Sequence, residues 1–218
     1  MPLPNRVTPF GELAAEASRG TMMGNRGGMF HDPVARTLGK RRWASRRWLC
    51  CSLDYPGSHR HPVWSRGYTQ LFFLDEVTAL AAGHRPCAEC RRGQARLYQA
   101  ALAEGGAKPA LPTIDERLHE ERLDGRVQRR REASTEGLPD GTMIVIEGAA
   151  FALSGDRVLP WSHDGYGPSR SRPAGVVEVL TPPTNVLALR AGYPPLWHPT
   201  ARSGAIGDGA APHNRLSI

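Results

Sequence analysis

"GHRPCAECRR", residues 83–92, sets Cys87 and Cys90 two residues apart, behind Pro86 and ahead of Arg91 and Arg92. Cys-x-x-Cys brings two sulfurs onto one tight turn, which is half of a tetrahedral metal site. The other half must come from elsewhere, and the chain has two further cysteines, Cys50 and Cys51. Four thiols gathered within about forty residues point to one metal centre rather than to a disulfide framework. The flanking pattern is not the βαβ start of a thioredoxin-like unit, so a redox pair is the weaker reading.

Neighbouring side chains of an extended strand point to opposite faces. Either the chain turns at Cys50-Cys51, or one of the two binds and a histidine completes the set; His31, His59, His61 and His84 are the candidates. The expected metal is zinc and the expected ligands are Cys50, Cys51, Cys87 and Cys90, with a Cys3His set next. A zinc-bound thiolate stays deprotonated and nucleophilic at neutral pH, so such a centre can be scaffold or reagent.

Outward from the knuckle, "WLCCSLDY" (48–55) and "YTQLFFL" (68–74) have strand character, and Asp75 caps a short helix closed by Gly83. "RRGQARLYQAALAEGG" (91–106) reads as a helix burying Leu97, Tyr98, Ala101 and Leu102. Thr113 and Glu116 have capping-box spacing ahead of "IDERLHEERL". From residue 138 the pattern is β, with Gly155-Asp156 as a tight turn. "PWSHDGYG" (160–167) is the most site-like loop there, although a structural turn is the simpler reading. "FGELAAEASRG" (10–20) suggests a short helix. "VTALAAGHRP" (77–86) and "VLALRAGYPP" (186–195) echo one another as a repeated helix-stop signal.

The net charge is +7, and residues 1–66 carry all of the excess, 11 Lys and Arg against 4 Asp and Glu. A basic region on an otherwise neutral chain suits a polyanion, most often nucleic acid. Within it, "GKRRWASRRW" (39–48) interleaves Trp43 and Trp48 with Arg41, Arg42, Arg46 and Arg47, the residue types that meet phosphates and stack on bases. "MGNRGGMFHDP" (23–33) is a glycine-rich loop without the Lys-Ser/Thr ending of a P-loop, and its His31-Asp32 pair is a candidate general base with an orienting carboxylate. The opening residues lack a secretory layout and no apolar run has the length of a membrane span, so a cytoplasmic protein is expected.

"FFLDEVTALAAGHRPCAECRR" (72–92) resembles the metal-binding module of bacterial Ada-type methyl-phosphotriester repair proteins. The second half of that module has an aromatic pair, a short alanine-rich helix ending in Ala-Gly, then aromatic-Arg-Pro-Cys-x-x-Cys. The resemblance implies that Cys87 and Cys90 are the second pair of zinc ligands. It aligns Cys50 best with the family's methyl acceptor, whose partner cysteine in Cys-x-x-x-Cys falls here near Asp54.

The expected architecture is α+β. A basic N-terminal arm (1–47) leads into an Ada-like zinc module (48–108). A linking helix (109–137), a small antiparallel β domain (138–200) and a disordered tail (201–218) follow. The expected function is zinc-dependent DNA binding, with a part in DNA repair, through Arg41, Arg42, Trp43, Arg46, Arg47, Arg85, Arg91 and Arg92. The alternatives are a zinc-containing nuclease or other hydrolase using His31 and Asp32, with Cys50 a further catalytic candidate, and a protein-interaction or redox-sensing zinc module.

Overall fold

A computed structural model describes residues 1–56, 62–64 and 67–204 of the chain. The class is α+β. In chain order the first strands are β1 (Arg6–Val7), β2 (Leu13–Ala14), β3 (Met22–Asn25), β4 (His31–Asp32), β5 (Thr37–Leu38), β6 (Leu49–Ser52), β7 (Leu71–Phe73) and β8 (Arg85–Pro86). Six of them form one sheet in the order β2-β1-β7-β3-β6-β8, parallel at β1–β7 and β6–β8 and antiparallel elsewhere. The first 47 residues are therefore not an arm. They supply β3 at the centre of the sheet that carries the cysteines, and residues 10–20 hold β2 where a helix was expected.

Alternation along these strands makes two faces. Met22, Leu71, Phe73 and Cys50 pack on one side, with Ala79 and Ala82 from the helix segment; Met23, Phe72 and Cys51 pack on the other. Gly24 makes the close spacing possible, because a Cβ there would lie 2.1 Å from the Leu49 carbonyl oxygen.

Helix α1 (Glu76–Ala81) is wholly buried, and Asp75 caps it as expected, accepting from the Thr78 N–H at 2.9 Å. The second oxygen of Asp75 accepts from the Tyr166 hydroxyl at 2.9 Å and from the His198 N–H at 3.0 Å. Glu76, 0% exposed, takes both Arg91 nitrogens at 2.7 Å, the Tyr193 hydroxyl at 2.6 Å and the Leu196 N–H at 2.9 Å. Two adjacent acids thus join the first sheet, the knuckle and the C-terminal segment.

Helices α2 (Arg92–Ala101), α3 (Leu111–Arg122) and α4 (Pro183–Arg190) close a third cluster around Leu80, Tyr98, Ile114, Leu118, Ala188 and Leu189. Leu97 lies outside it, 53% exposed, one position off the buried stripe. Helix α3 starts at Leu111 behind Ala110, without a side-chain cap, so Thr113 and Glu116 lie inside the helix rather than across its start. The echo between residues 77–86 and 186–195 is a shared helix stop. Gly83 and His84 donate to Leu80 and Ala79 as Gly192 and Tyr193 donate to Leu189 and Ala188.

The later strands are a ribbon of β9 (Leu123–Asp124) and β10 (Val127–Gln128), then β11 (Arg131–Ser134), β12 (Met143–Ile146), β13 (Ala149–Ser154), β14 (Arg157–Ser162), β15 (Gly165–Tyr166), β16 (Arg170–Ser171) and β17 (Val176–Val179). All but the ribbon form an antiparallel sheet, with Gly155-Asp156 the turn between β13 and β14. "PWSHDGYG" is a hairpin of that sheet. Its Trp161 Nε1 donates to Thr78 Oγ1 at 3.0 Å, so the loop braces α1. The sheet is not a separate domain, since Leu74, Val77 and Ala81 share one core cluster with Met143, Ala152 and Leu159. Helix α5 (Thr200–Gly204) continues order into the expected tail, and residues 205–218 lie outside the described residues.

Replacing Glu76 by Ala strands the Arg91 charge in the core and is expected to cost about 3–5 kcal/mol in urea unfolding. The double change Glu76→Leu with Arg91→Leu should cost less than Glu76→Ala alone, because no unpaired charge remains.

Candidate metal centre

Strand β8 runs into the knuckle beside β6, where the Cys87 N–H donates to the Cys50 carbonyl at 2.9 Å. That pairing sets the Cys-x-x-Cys turn against the face of β6 that carries Cys51. The sulfurs of Cys51, Cys87 and Cys90 all lie within 4.8 Å of one another. Three thiolates on a zinc ion with Zn–S near 2.3 Å would stand about 3.8 Å apart, so small rotations gather them on one metal. Three close cysteines of this kind can hold a metal ion.

Cys50 is not with them. It is 0% exposed, on the opposite face among Val7, Leu71 and Phe73, and its sulfur accepts from Arg91 Nη1 at 3.4 Å. The four-thiolate set is corrected to three, for the reason the strand geometry supplied: adjacent residues of β6 face apart. Burial pushes the Cys50 thiol well up, and the nearby Glu76 adds to this against the opposing pull of Arg91. This is an inert thiol. Cys87 is driven the other way, far below an ordinary thiol, by hydrogen bonds from the Cys51 and Cys90 sulfurs and from the backbone N–H groups of Cys90 and Glu89. Cys51, the donor in that exchange, is raised. Within the cluster the negative charge is thus favoured on Cys87 over Cys51.

The histidine candidates do not complete the set among the described residues. His31 is buried elsewhere, Nδ1 at 2.8 Å from Thr69 Oγ1 and its ring stacked on Trp64 at 5.0 Å. His84 is enclosed by Trp48 and Phe73, with Nε2 accepting from Arg26. His59 and His61 lie outside the described residues. The thiolate cluster opens on a cavity of about 650 Å³ whose walls include Asn25, Arg47, Tyr55 and Tyr68. Burial, then the three cysteines and Glu89, hold the Tyr68 phenol above its usual range, so it lines the cavity as a neutral group.

His31 and Asp32 do not form a base and its orienting acid. Their side chains diverge along β4, and Asp32 Oδ1 accepts from the Val34 and Ala35 N–H groups at 2.8 and 2.9 Å in an exposed turn. Two of the expected phosphate ligands are also taken. Arg85 is locked on Asp115 by two bonds of 2.8 Å, and Arg91 on Glu76. Arg92 is exposed, as are Arg41, Arg42, Arg46 and Arg47. Trp48 is buried and Trp43 half-buried against it, ring centroids 5.9 Å apart, so the pair is not an open stacking platform.

Sequence reading passed over Arg26 and Arg122, both buried at the Trp48 ring, and over Tyr55 and Tyr68 at the thiolate cavity. The one signal for Arg26 was its place inside the glycine-rich "GNRGG". No helix among the described residues is long and apolar enough to cross a membrane. Comparison with protein-family models, curated proteins and solved structures gives no match. Function has to be read from side-chain geometry alone.

In reduced, metal-free protein, iodoacetamide should label Cys87 first, with Cys50 reacting roughly tenfold or more slowly until denaturant is added. Peptide mass spectrometry over a time course checks this order.

Proposed function

We propose that the protein is a zinc-binding, DNA-binding protein, with zinc held by Cys51, Cys87 and Cys90. The observation that carries this reading is the three-sulfur cluster sharing its cavity wall with Arg47, at the end of the exposed run of Arg41, Arg42 and Arg46. Soft thiolates gathered within 4.8 Å of one another suit zinc, and three protein ligands leave a fourth position for a solvent or substrate atom. The exposed arginines supply the phosphate-neutralising charge that non-specific DNA affinity requires. The resemblance of residues 72–92 to Ada-type modules supports the same assignment.

A repair role by alkyl transfer needs a nucleophilic thiolate open to a phosphate. On β6 the cysteine placed to do this once bound to zinc is Cys51, which lines the cavity, and not the enclosed Cys50. Thiolate ligands must stay reduced, so a reducing compartment, the cytoplasm, is the proposed location. The hydrolase alternative loses its base, because His31 and Asp32 point apart.

Elemental analysis of protein purified under reducing, chelator-free conditions should find roughly one zinc per chain. Cys51→Ser, Cys87→Ser and Cys90→Ser should each lose it, and Cys50→Ser should keep it. Metal absent from the unmodified protein, or lost in Cys50→Ser alone, would sink the assignment. For DNA, fluorescence anisotropy with a labelled duplex should show affinity falling steeply with salt. The salt slope should drop by about one for each arginine among 41, 42, 46 and 47 changed to Ala. Affinity that survives both high salt and these changes removes DNA as the partner.

A further inference from the structure

A second cavity, of about 470 Å³, lies beside Trp48 and is built around positive charge. The guanidinium carbons of Arg26 and Arg122 sit 4.0 and 3.9 Å from the centroid of the Trp48 ring, and the two residues are 2% and 1% exposed. A buried guanidinium is ordinarily matched by a carboxylate, as Arg85 and Arg91 are in this chain. Arg26 and Arg122 are not. Arg26 donates to His84 Nε2 at 3.3 Å and to the Gly11 carbonyl at 2.9 Å. Arg122 donates to the Gly83 and Arg46 carbonyls at 2.9 and 2.6 Å, and its Nη2 lies 3.0 Å from His119 Nδ1.

Every one of these partners is neutral or itself a potential cation. Arg122 Nε has no hydrogen-bond partner among the described residues. Asp115, the acid whose charge Arg122 feels, already has both oxygens on Arg85. Burial first, and then Arg42 for Arg26 and Arg26 for Arg122, lowers both guanidiniums to about 9, which leaves them cationic at neutral pH. The arrangement is specified locally. Gly83 has φ +77°, and a Cβ there would meet Arg122 Cδ at 2.5 Å, so the helix stop of α1 also clears the space that Arg122 fills.

The cavity wall adds to this charge. Arg42, Arg126 and Arg130 line it from exposed positions and Glu12 is its one carboxylate, giving five guanidiniums against a single acid. Arg130 is shared with Glu178 at 2.9 Å, whereas Arg126 has no ion-pair partner among the described residues. A monocarboxylate would leave most of this charge unmatched. A phosphomonoester carries between one and two negative charges near neutral pH, and its three terminal oxygens can each accept from a different guanidinium. The volume falls within the range of small-molecule sites, and Phe10 and Trp43 give the cavity aromatic wall for a flat ring. Gln128 Oε1, buried and without a partner in the same wall, offers an acceptor to a hydroxyl or amine.

We infer that this cavity binds a small phosphomonoester of about nucleotide size, its phosphate facing Arg26 and Arg122 and its ring against the aromatic wall. The site goes beyond the zinc reading, since it shares no lining residue with the thiolate cavity and needs no metal, and it meets the proposed DNA track only at Arg42 and Trp43.

Calorimetric titration of the full chain with adenosine monophosphate, at low salt in a zwitterionic buffer, tests it. Saturable one-to-one binding is expected, with none for adenosine or for acetate at matched ionic strength. Arg126→Ala, an exposed change, should weaken binding about tenfold, the loss of one charge-assisted hydrogen bond. Arg122→Met should abolish the rise in melting temperature that the ligand produces. Charge reversal at Arg41, Arg46 and Arg47, which disables the proposed DNA track, should leave adenosine monophosphate binding in place. The site is overturned by any of three results: no binding, equal binding of adenosine, or affinity unchanged in Arg126→Ala together with an intact thermal response in Arg122→Met.

Discussion

The buried pair of Glu76 and Arg91 is the constraint on which the rest of the molecule depends. Arg91 directly follows the second cysteine of the knuckle, and Glu76 opens α1, so their two 2.7 Å bonds fix the knuckle against the helix beneath the sheet. Desolvating two charges is strongly unfavourable unless the remaining donors and acceptors are matched. Here they are, because Tyr193 and Leu196 bring further donors to the same carboxylate and Arg91 also reaches the Cys50 sulfur. Cys50 thereby has a structural contact apart from the three-sulfur cluster.

The same strand presents two cysteines in two electrostatic worlds. Cys51 faces a cavity, where its sulfur and that of Cys90 donate to Cys87 and support charge there; Cys50 faces an apolar layer where a charge would find little support. Alternation along β6 separates a cavity-lining cysteine from an enclosed one across a single peptide bond. Trp48 sits on that strand's threshold, so the charged cavity and the thiolate cavity are organised from a stretch of four residues.

Local features were legible in the sequence. The Asp75 cap, the Gly83 stop, the β6 and β7 strands and the Gly155-Asp156 turn each depend on a few neighbouring residues, and each is present. The cluster that could hold a metal ion was legible in its three members, Cys51, Cys87 and Cys90, but together with Cys50, which lies apart from them. The choice between Cys50 and Cys51 needed the strand's facing, which the alternation rule raised but could not assign. What sequence could not supply was long-range pairing. Two-residue strands such as β1 and β2 carry no periodicity, so residues 1–47 read as an arm. Arg85 and Arg91 read as phosphate ligands because Asp115 lies 30 residues and Glu76 lies 15 residues away in sequence. Arg26 and Arg122 were invisible as a pair, being brought to one tryptophan by tertiary packing alone.

The acids at the head of α1 have a consequence for how the chain acquires its structure. Their partners Tyr193, Leu196 and His198 stand 117, 120 and 123 residues downstream. Contacts of such separation close large loops before any energy is returned, which places this topology among the slower folders. During synthesis Asp75 and Glu76 meet Thr78 and Arg91 early, but they stay short of Tyr193, Leu196 and His198 until that segment has been made. The knuckle and its Glu76–Arg91 anchor are then local, and the remaining donors to these acids arrive only with the C-terminal segment.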